Sequence, residues 1–141
     1  MAAEAAVQAS LVFFPAISLG IIIGLLELIF VHSDEPGMGW FKHGLHAIPT
    51  MLILLLVSFN IGPVSQMVGY PITESFAINL GIRVLLGIIA TIKVKAAAAI
   101  AGRASSFGEK FWHAAVIGAL IAAAPYLWVF IEPLLPGFLN F

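Results

Sequence analysis

The chain has 141 residues, of which 62% are hydrophobic and only 9% are charged. An ordinary soluble domain carries about 25% charged residues, so this composition leaves too little polar surface for a fold in water. Six basic and seven acidic residues give a net charge of −1, without the clustered basic face that nucleic-acid binding requires. The composition therefore predicts an all-α integral membrane protein, built as one domain over residues 1–141 and surrounded by the lipid bilayer.

Four apolar stretches are long enough to cross a bilayer, which takes about 20 residues per helix. We expect the spans at about residues 11–32, 47–63, 75–92 and 111–131. These spans use more than half of the chain and leave little for an extramembrane domain. The sequence thus predicts a bundle of four transmembrane helices.

The connection between the first two spans has a helical pattern of its own. Met38, Phe41 and Leu45 recur at helical spacing, and Lys42 lies on the opposite face. This pattern is typical of a short amphipathic helix in the membrane interface. We expect such an interfacial helix within residues 33–46, on the cytoplasmic side.

The basic residues predict the orientation of the chain. Four spans place both termini on one side of the membrane, and that side has no lysine or arginine in its loops. Five of the six basic residues fall in the loops of the other side: Lys42, Lys93, Lys95, Arg103 and Lys110. Because cytoplasmic loops carry an excess of lysine and arginine, we expect both termini outside and the basic loops in the cytoplasm.

Small residues indicate where the helices pack. Gly20 and Gly24 form a GxxxG pair in the first span, and Gly118 and Ala122 lie on one side of the fourth. Small residues let membrane helices approach closely, so we expect close contacts among spans one, three and four. The second span is a nearly unbroken run of large apolar residues, which favours broad exposure to lipid. The small stripes fit packing within one chain and homo-oligomer formation equally.

Arg83 is the strongest candidate for a functional residue, because a lone arginine that faces lipid costs at least a few kcal/mol. Asn79 precedes it by one helical turn and Gly87 follows by one, which gives a polar, small stripe along the third span. Asn60 and Glu132 lie near the outer ends of the second and fourth spans and are its candidate partners. Arg83 is therefore either a structural partner of Glu132, or it forms an anion site or lines a conduction path.

Glu27 is the second ionisable group inside a predicted span. It lies near the cytoplasmic end of the first span, at a depth that the snorkelling side chain of Lys93 reaches. One interpretation is a structural Glu27–Lys93 pair. The other is a carboxylate that carries protons or coordinates a cation.

His43 and His46 are three residues apart and place two imidazoles on one helical face, with Asp34 nearby. Histidine and carboxylate groups bind zinc and related ions, although this spacing matches no standard site. The chain has no cysteine, and the catalytic patterns GxSxG and HExxH are missing. We therefore expect no enzyme and no cofactor, with His43 and His46 as candidate metal ligands.

Two functions compete at this point. In the first, the protein forms a homo-oligomer in which the Asn79–Arg83–Gly87 stripe lines a channel or transport path for ions or small solutes. In the second, it is a non-catalytic structural or assembly subunit that packs against other membrane subunits, and Arg83 is a buried structural charge. A third interpretation is a metal-dependent membrane enzyme. We rank transport first, because an intramembrane charge is costly to keep without a use.

Overall fold

The computed structural model of the chain describes residues 10–34, 39–70, 72–101 and 110–136. These residues form four α-helices and two short 3-10 helices, and no strand occurs among them. The α-helices are α1 (Phe14–Asp34), α2 (Trp40–Met67), α3 (Phe76–Ala101) and α4 (Phe111–Ile131), and the 3-10 helices are Ile72–Glu74 and Glu132–Leu134. The prediction of an all-α fold is confirmed.

Each α-helix contains a segment that is long and apolar enough to cross a membrane. At 1.5 Å per residue, the 21 residues of α1 extend about 30 Å, the hydrocarbon thickness of a bilayer. The segments that meet this length and composition are Phe14–Asp34, Trp40–Met67, Phe76–Ala96 and Phe111–Leu134. These four apolar helices suggest a membrane-embedded protein, and the sides on which its termini and loops lie stay predictions.

Successive helices run in opposite directions, so the bundle has two ends. The first, named the Glu132 end, holds the starts of α1 and α3 and the finishes of α2 and α4. The second, named the Asp34 end, holds the finishes of α1 and α3 and the starts of α2 and α4. At the Glu132 end, Gly69 closes α2 with a φ of 75°, and the Tyr70 amide donates to the Ser65 carbonyl. A glycine in this left-handed conformation is a common helix stop, because no Cβ opposes it.

The second helix begins earlier than the sequence predicts. α2 is one helix of 28 residues from Trp40 to Met67, so residues 40–46 are its first turns and not a separate interfacial helix. The prediction was wrong because α1 supports these turns. The Trp40 ring stacks on His32 with centroids 3.8 Å apart, and Ala47 is buried. Packing of this kind carries the helix through Pro49, although a proline provides no backbone donor.

The glycines of α1 pack against α2. A Cβ added at Gly20 would come within 2.5 Å of the Leu52 Cδ2 atom, and one added at Gly24 within 3.4 Å of the Ile48 Cγ1 atom. Met51 and Leu55 of α2 are fully buried. The prediction that the second span mainly faces lipid was therefore wrong. Its large side chains fit against the flat glycine face of α1, so only one of the two helices needs small residues.

A second close pair is formed by α3 and α4. Gly118 lies so close to the Gly87 carbonyl and the Thr91 hydroxyl that it has no space for a Cβ. A Cβ added at Gly87 would in turn meet Ala122 at 3.2 Å. The glycines at 20, 24 and 118 thus serve contacts within the chain. The core between the two helix pairs is apolar, and its largest fully buried side chains include Leu19, Met51, Leu55, Ile117 and Ile121.

Candidate functional site

Arg83 lies inside the bundle and connects three helices. Only 8% of the residue is exposed. Its Nε donates to the Asn79 Oδ1 at 3.0 Å within α3, and its Nη1 donates to the Ser58 carbonyl of α2 at 3.3 Å. The Cζ atom lies 5.1 Å from the centre of the Tyr126 ring of α4, a cation–π contact. The guanidinium therefore contacts α2, α3 and α4 at one level of the bundle.

That level can be placed along the helix axes. Arg83 follows the start of α3 by seven residues, which is about 10 Å, and Tyr126 precedes the last residue of α4 by five, which is about 8 Å. Both residues lie in the half of the bundle nearer the Glu132 end. The contact group thus lies well inside the apolar length of the helices.

Ser58 extends this network to α4 and compensates for a proline. Its hydroxyl donates to the Ile121 carbonyl at 2.6 Å. Ile121 precedes Pro125 by four residues, so in a regular helix its carbonyl would accept from the amide at position 125. Proline has no N–H and leaves that carbonyl open. A serine of the neighbouring helix therefore provides the missing donor, as membrane helices with internal prolines require.

Asn79 contacts Arg83 in the structure, whereas Glu132 does not. Glu132 lies in the 3-10 helix after α4 and is exposed. Among the described residues, Arg83 has no carboxylate partner. The predicted Arg83–Glu132 pair is therefore not formed. The physical reason is position: Glu132 follows Tyr126 by six residues, about 9 Å further along the helix axis, while the guanidinium turns toward α2.

Asn60 of α2 makes a structural contact with the residues just before α1. Its Oδ1 accepts from the Val12 amide at 2.7 Å, and its Nδ2 donates to the Val12 and Leu56 carbonyls at 2.9 and 2.8 Å. The side chain thus satisfies backbone groups just before α1 begins, where no helical partner exists. Asn60 attaches the start of α1 to α2 and does not contact Arg83.

Among the described residues, Glu27 is the second ionisable group that is buried inside the bundle. It lies on the same face of α1 as Gly24, and only 2% of it is exposed. Lys93, its predicted partner, is exposed on α3. A role for Glu27 in carrying protons or cations stays a prediction.

A groove with a volume of about 630 Å³ follows the outer surface of α3 and α4. Arg83 and Tyr126 lie at its end nearer the Glu132 end, and Ile92 and Phe111 lie at its other end. We name it the α3–α4 groove. It is lined by Leu80, Arg83, Val84, Gly87, Ile88, Thr91, Ile92, Phe111, Ala115, Ala119, Ala122, Ala123 and Tyr126.

The predicted polar stripe lies partly in this groove. Arg83 and Gly87 line it, together with Thr91 one turn further on, whereas Asn79 does not. The Thr91 hydroxyl donates to the Gly87 carbonyl at 2.9 Å, so its donor is used within α3. The remaining lining is almost entirely hydrocarbon. The α3–α4 groove is therefore an apolar surface groove that has one cationic residue in its lining.

At the Asp34 end, a carboxylate joins α1 to α4. Asp34 Oδ2 accepts from the Lys110 backbone amide at 2.8 Å and lies 2.6 Å from the His113 Nδ1. Asp34 Oδ1 lies 3.1 Å from the Lys110 Nζ, and the His113 ring stacks on Phe30 at 4.2 Å. A carboxylate at a helix N-terminus is stabilised by the open amides and the helix dipole. Sequence reasoning missed this contact, because its partners are 76 and 79 residues apart.

The metal prediction is not tested. The side chains of His43 and His46 lie outside the described part of the structure, although their backbone belongs to α2. Within the described part, no group of three or more histidine, aspartate or glutamate residues is placed to hold a metal ion. Asp34, which the sequence analysis placed beside these histidines, instead contacts Lys110 and His113.

Comparisons with protein-family models, with curated proteins and with solved structures gave no match. Fold and site therefore define this protein by architecture alone. It is a bundle of four helices that are long and apolar enough to span a membrane, with a buried arginine at the centre of an interhelical network.

Proposed function

We propose that the protein is a non-catalytic structural subunit that packs with other membrane proteins and provides a rigid four-helix bundle. The observation that supports this function best is the environment of Arg83. Its contacts with Ser58 and Tyr126 hold α3 against α2 and α4, and Asn79 accepts a hydrogen bond from it within α3. A charge that fixes helix positions has a use that needs no transported solute.

Three other polar side chains in the apolar part of the described chain support the same proposal. Asn60 attaches the start of α1 to α2, and Ser58 donates to the carbonyl that Pro125 leaves open. Thr91 donates to a carbonyl within its own helix. Each is used to satisfy backbone groups. An ion path needs polar groups that stay available to an ion, since ions replace their hydration shells by protein ligands.

Transport by a homo-oligomer is the second candidate, and one observation favours it. Arg83 and Thr91 both line the α3–α4 groove, which follows the spanning segments of these helices. Several copies that met at this surface would enclose the grooves around a common axis. Arg83 would then be the selective charge of an anion path.

Flux through purified protein in liposomes separates the two candidates. The structural function predicts that chloride and potassium flux equals that of empty liposomes, for wild type and for R83Q. Transport predicts flux above this background, with chloride flux lost in R83Q and retained in R83K. Gel filtration of each sample before reconstitution is the control for folding and equal oligomeric state.

A positive test of the subunit function uses the native membrane. Tagged protein that is solubilised there in mild detergent should migrate as a larger assembly than the purified chain. Recovery of the purified chain's size from the native membrane, under conditions that keep other membrane complexes intact, would contradict the proposal.

We also propose that both termini lie outside and that the basic loops lie in the cytoplasm. The charge bias supports this orientation. The chain has no cysteine, so single introduced cysteines report the side directly. Gln66 is exposed at the Glu132 end and Gly39 is exposed at the Asp34 end. In intact cells, a membrane-impermeant maleimide should label Q66C and not G39C; the opposite pattern would reverse the orientation.

A further inference from the structure

The guanidinium of Arg83 has donors and charge that no described residue uses. An arginine has five N–H donors, and the hydrogen bonds to Asn79 and Ser58 use two of them. Its contacts within the described residues are an amide oxygen, a carbonyl oxygen and an aromatic ring, all of them neutral. A full positive charge is therefore held in the apolar part of the bundle without an anionic partner there.

Arg83 borders the α3–α4 groove, and 8% of the residue is exposed. Arg83 is a lining residue, and the groove continues from it past Gly87 to Phe111, over most of the length of α4. Val84 and Ile88 line the same groove and are about half exposed, so it is open along its outer side. The α3–α4 groove is therefore an open, apolar groove with the cationic Arg83 near one end.

We propose that the α3–α4 groove binds one anionic phospholipid, with an acyl chain along the alanines of α4 and the phosphate drawn toward Arg83. Charge complementarity carries this inference. Ionisable residues inside membranes pair with an opposite charge or draw water and headgroups toward themselves, because an unpaired charge in hydrocarbon is costly. Arg83 lies about 10 Å from the start of α3, within reach of a headgroup that dips into the bilayer at the Glu132 end.

A second copy of the chain fits this groove less well. Two copies that meet symmetrically at the groove, with the same orientation in the membrane, would place two Arg83 side chains at equal depth. Among the described residues that line the groove, no carboxylate compensates for them. An anionic lipid supplies the missing charge and an apolar chain in one molecule. This inference does not depend on the proposed function.

The test is the retention of lipid by purified protein. Wild type is equilibrated with vesicles that contain equal amounts of phosphatidylglycerol and phosphatidylcholine, extracted in mild detergent, and measured by native mass spectrometry. We expect wild type to retain about tenfold more phosphatidylglycerol than phosphatidylcholine. This is the factor that one charge-assisted hydrogen bond of about 1.5 kcal/mol provides. R83Q should retain both lipids equally, and R83K should keep a preference for phosphatidylglycerol.

A second variant keeps the proposal testable if R83Q does not fold. Ala119 is exposed and lines the groove, so A119L fills the groove without changing Arg83. It should lose the retained lipid, whereas A96L, the same change at an exposed position of α3 outside the groove, should retain it.

Three results would overturn the proposal. One is equal retention of the two lipids by wild type. Another is a preference that persists in both A119L and R83Q, since the lipid would then be bound elsewhere. The third is a homodimer in the same mass spectrum that forms without retained lipid and is lost in A119L, because a second copy would then occupy the groove.

Discussion

Replacing Ser58 by alanine removes one hydroxyl and leaves the Ile121 carbonyl without a donor. Ser58 is fully buried, so water does not take the place of the hydroxyl. A buried polar group that loses its partner costs about 1–3 kcal/mol, and interhelical hydrogen bonds in membrane proteins contribute about 0.6 and at most about 1.7 kcal/mol. S58A should therefore lower the free energy of unfolding by about 1–2 kcal/mol. The Ser58 backbone carbonyl, which accepts from Arg83, is unchanged in this variant.

Pro125 makes the prediction specific. P125A provides an amide at position 125, which restores the normal helical donor for Ile121. In this background the serine hydroxyl is no longer needed, and S58A should cost about 0.5 kcal/mol or less. The double-mutant cycle over positions 58 and 125 should thus give a coupling of about 1 kcal/mol.

The assay is reversible unfolding of the purified protein in mixed micelles, followed by far-ultraviolet circular dichroism as the share of sodium dodecyl sulfate rises. Wild type, both single variants and the double variant are compared under one condition. Equal losses for S58A in the wild-type and P125A backgrounds would refute the reasoning. The hydroxyl would then stabilise the bundle by a contact other than the one with the Ile121 carbonyl.

Two other predictions concern the contacts between helices. G118A should lower the free energy of unfolding more than G20A does, with losses in the range of about 1–3 kcal/mol. The reason is that the new methyl group meets backbone at position 118 but the end of a flexible leucine side chain at position 20. The same unfolding assay measures both variants, and a larger loss for G20A would contradict the packing described. D34A should lower the unfolding midpoint, because it removes the acceptor for the Lys110 amide and for His113. D34N keeps one acceptor oxygen and should lose less; equal losses would show that the carboxylate charge alone matters.

Composition and hydrophobic length were sufficient to predict the helices. About 20 apolar residues in a row have few stable solutions other than a membrane helix, so the four spans are local properties. The boundaries were harder, as α2 shows. The first turns of α2 contain Gly44 and polar side chains and are followed by Pro49. These local features predict a break in the helix. The stacking of Trp40 on His32 of α1 and the burial of Ala47 show that the helix continues through this region.

The partners of the site residues were mostly beyond prediction. Helical spacing placed Asn79 one turn before Arg83, and the two side chains do meet. Depth along the helices named Asn60 and Glu132 as partners of Arg83, and neither contacts it. It did not reveal whether Arg83 turns toward α2 or toward Glu132, because that choice depends on the rotation of three helices. A signal for Ser58 was present: Pro125 leaves the carbonyl four residues earlier without a donor, and serine is a common donor in such places. Which serine provides it requires the helix arrangement.

The central claim is that Arg83 is a structural charge and does not line an ion path. Measuring whether water enters the α3–α4 groove tests this claim most directly. A single cysteine at Ala119 lies midway along the groove in a chain without other cysteines. In liposomes, a charged thiol reagent should modify Q66C or G39C, at the ends of the bundle, and leave A119C unmodified. Rapid modification of A119C at the rate of the end positions would show a water-filled path and contradict the account.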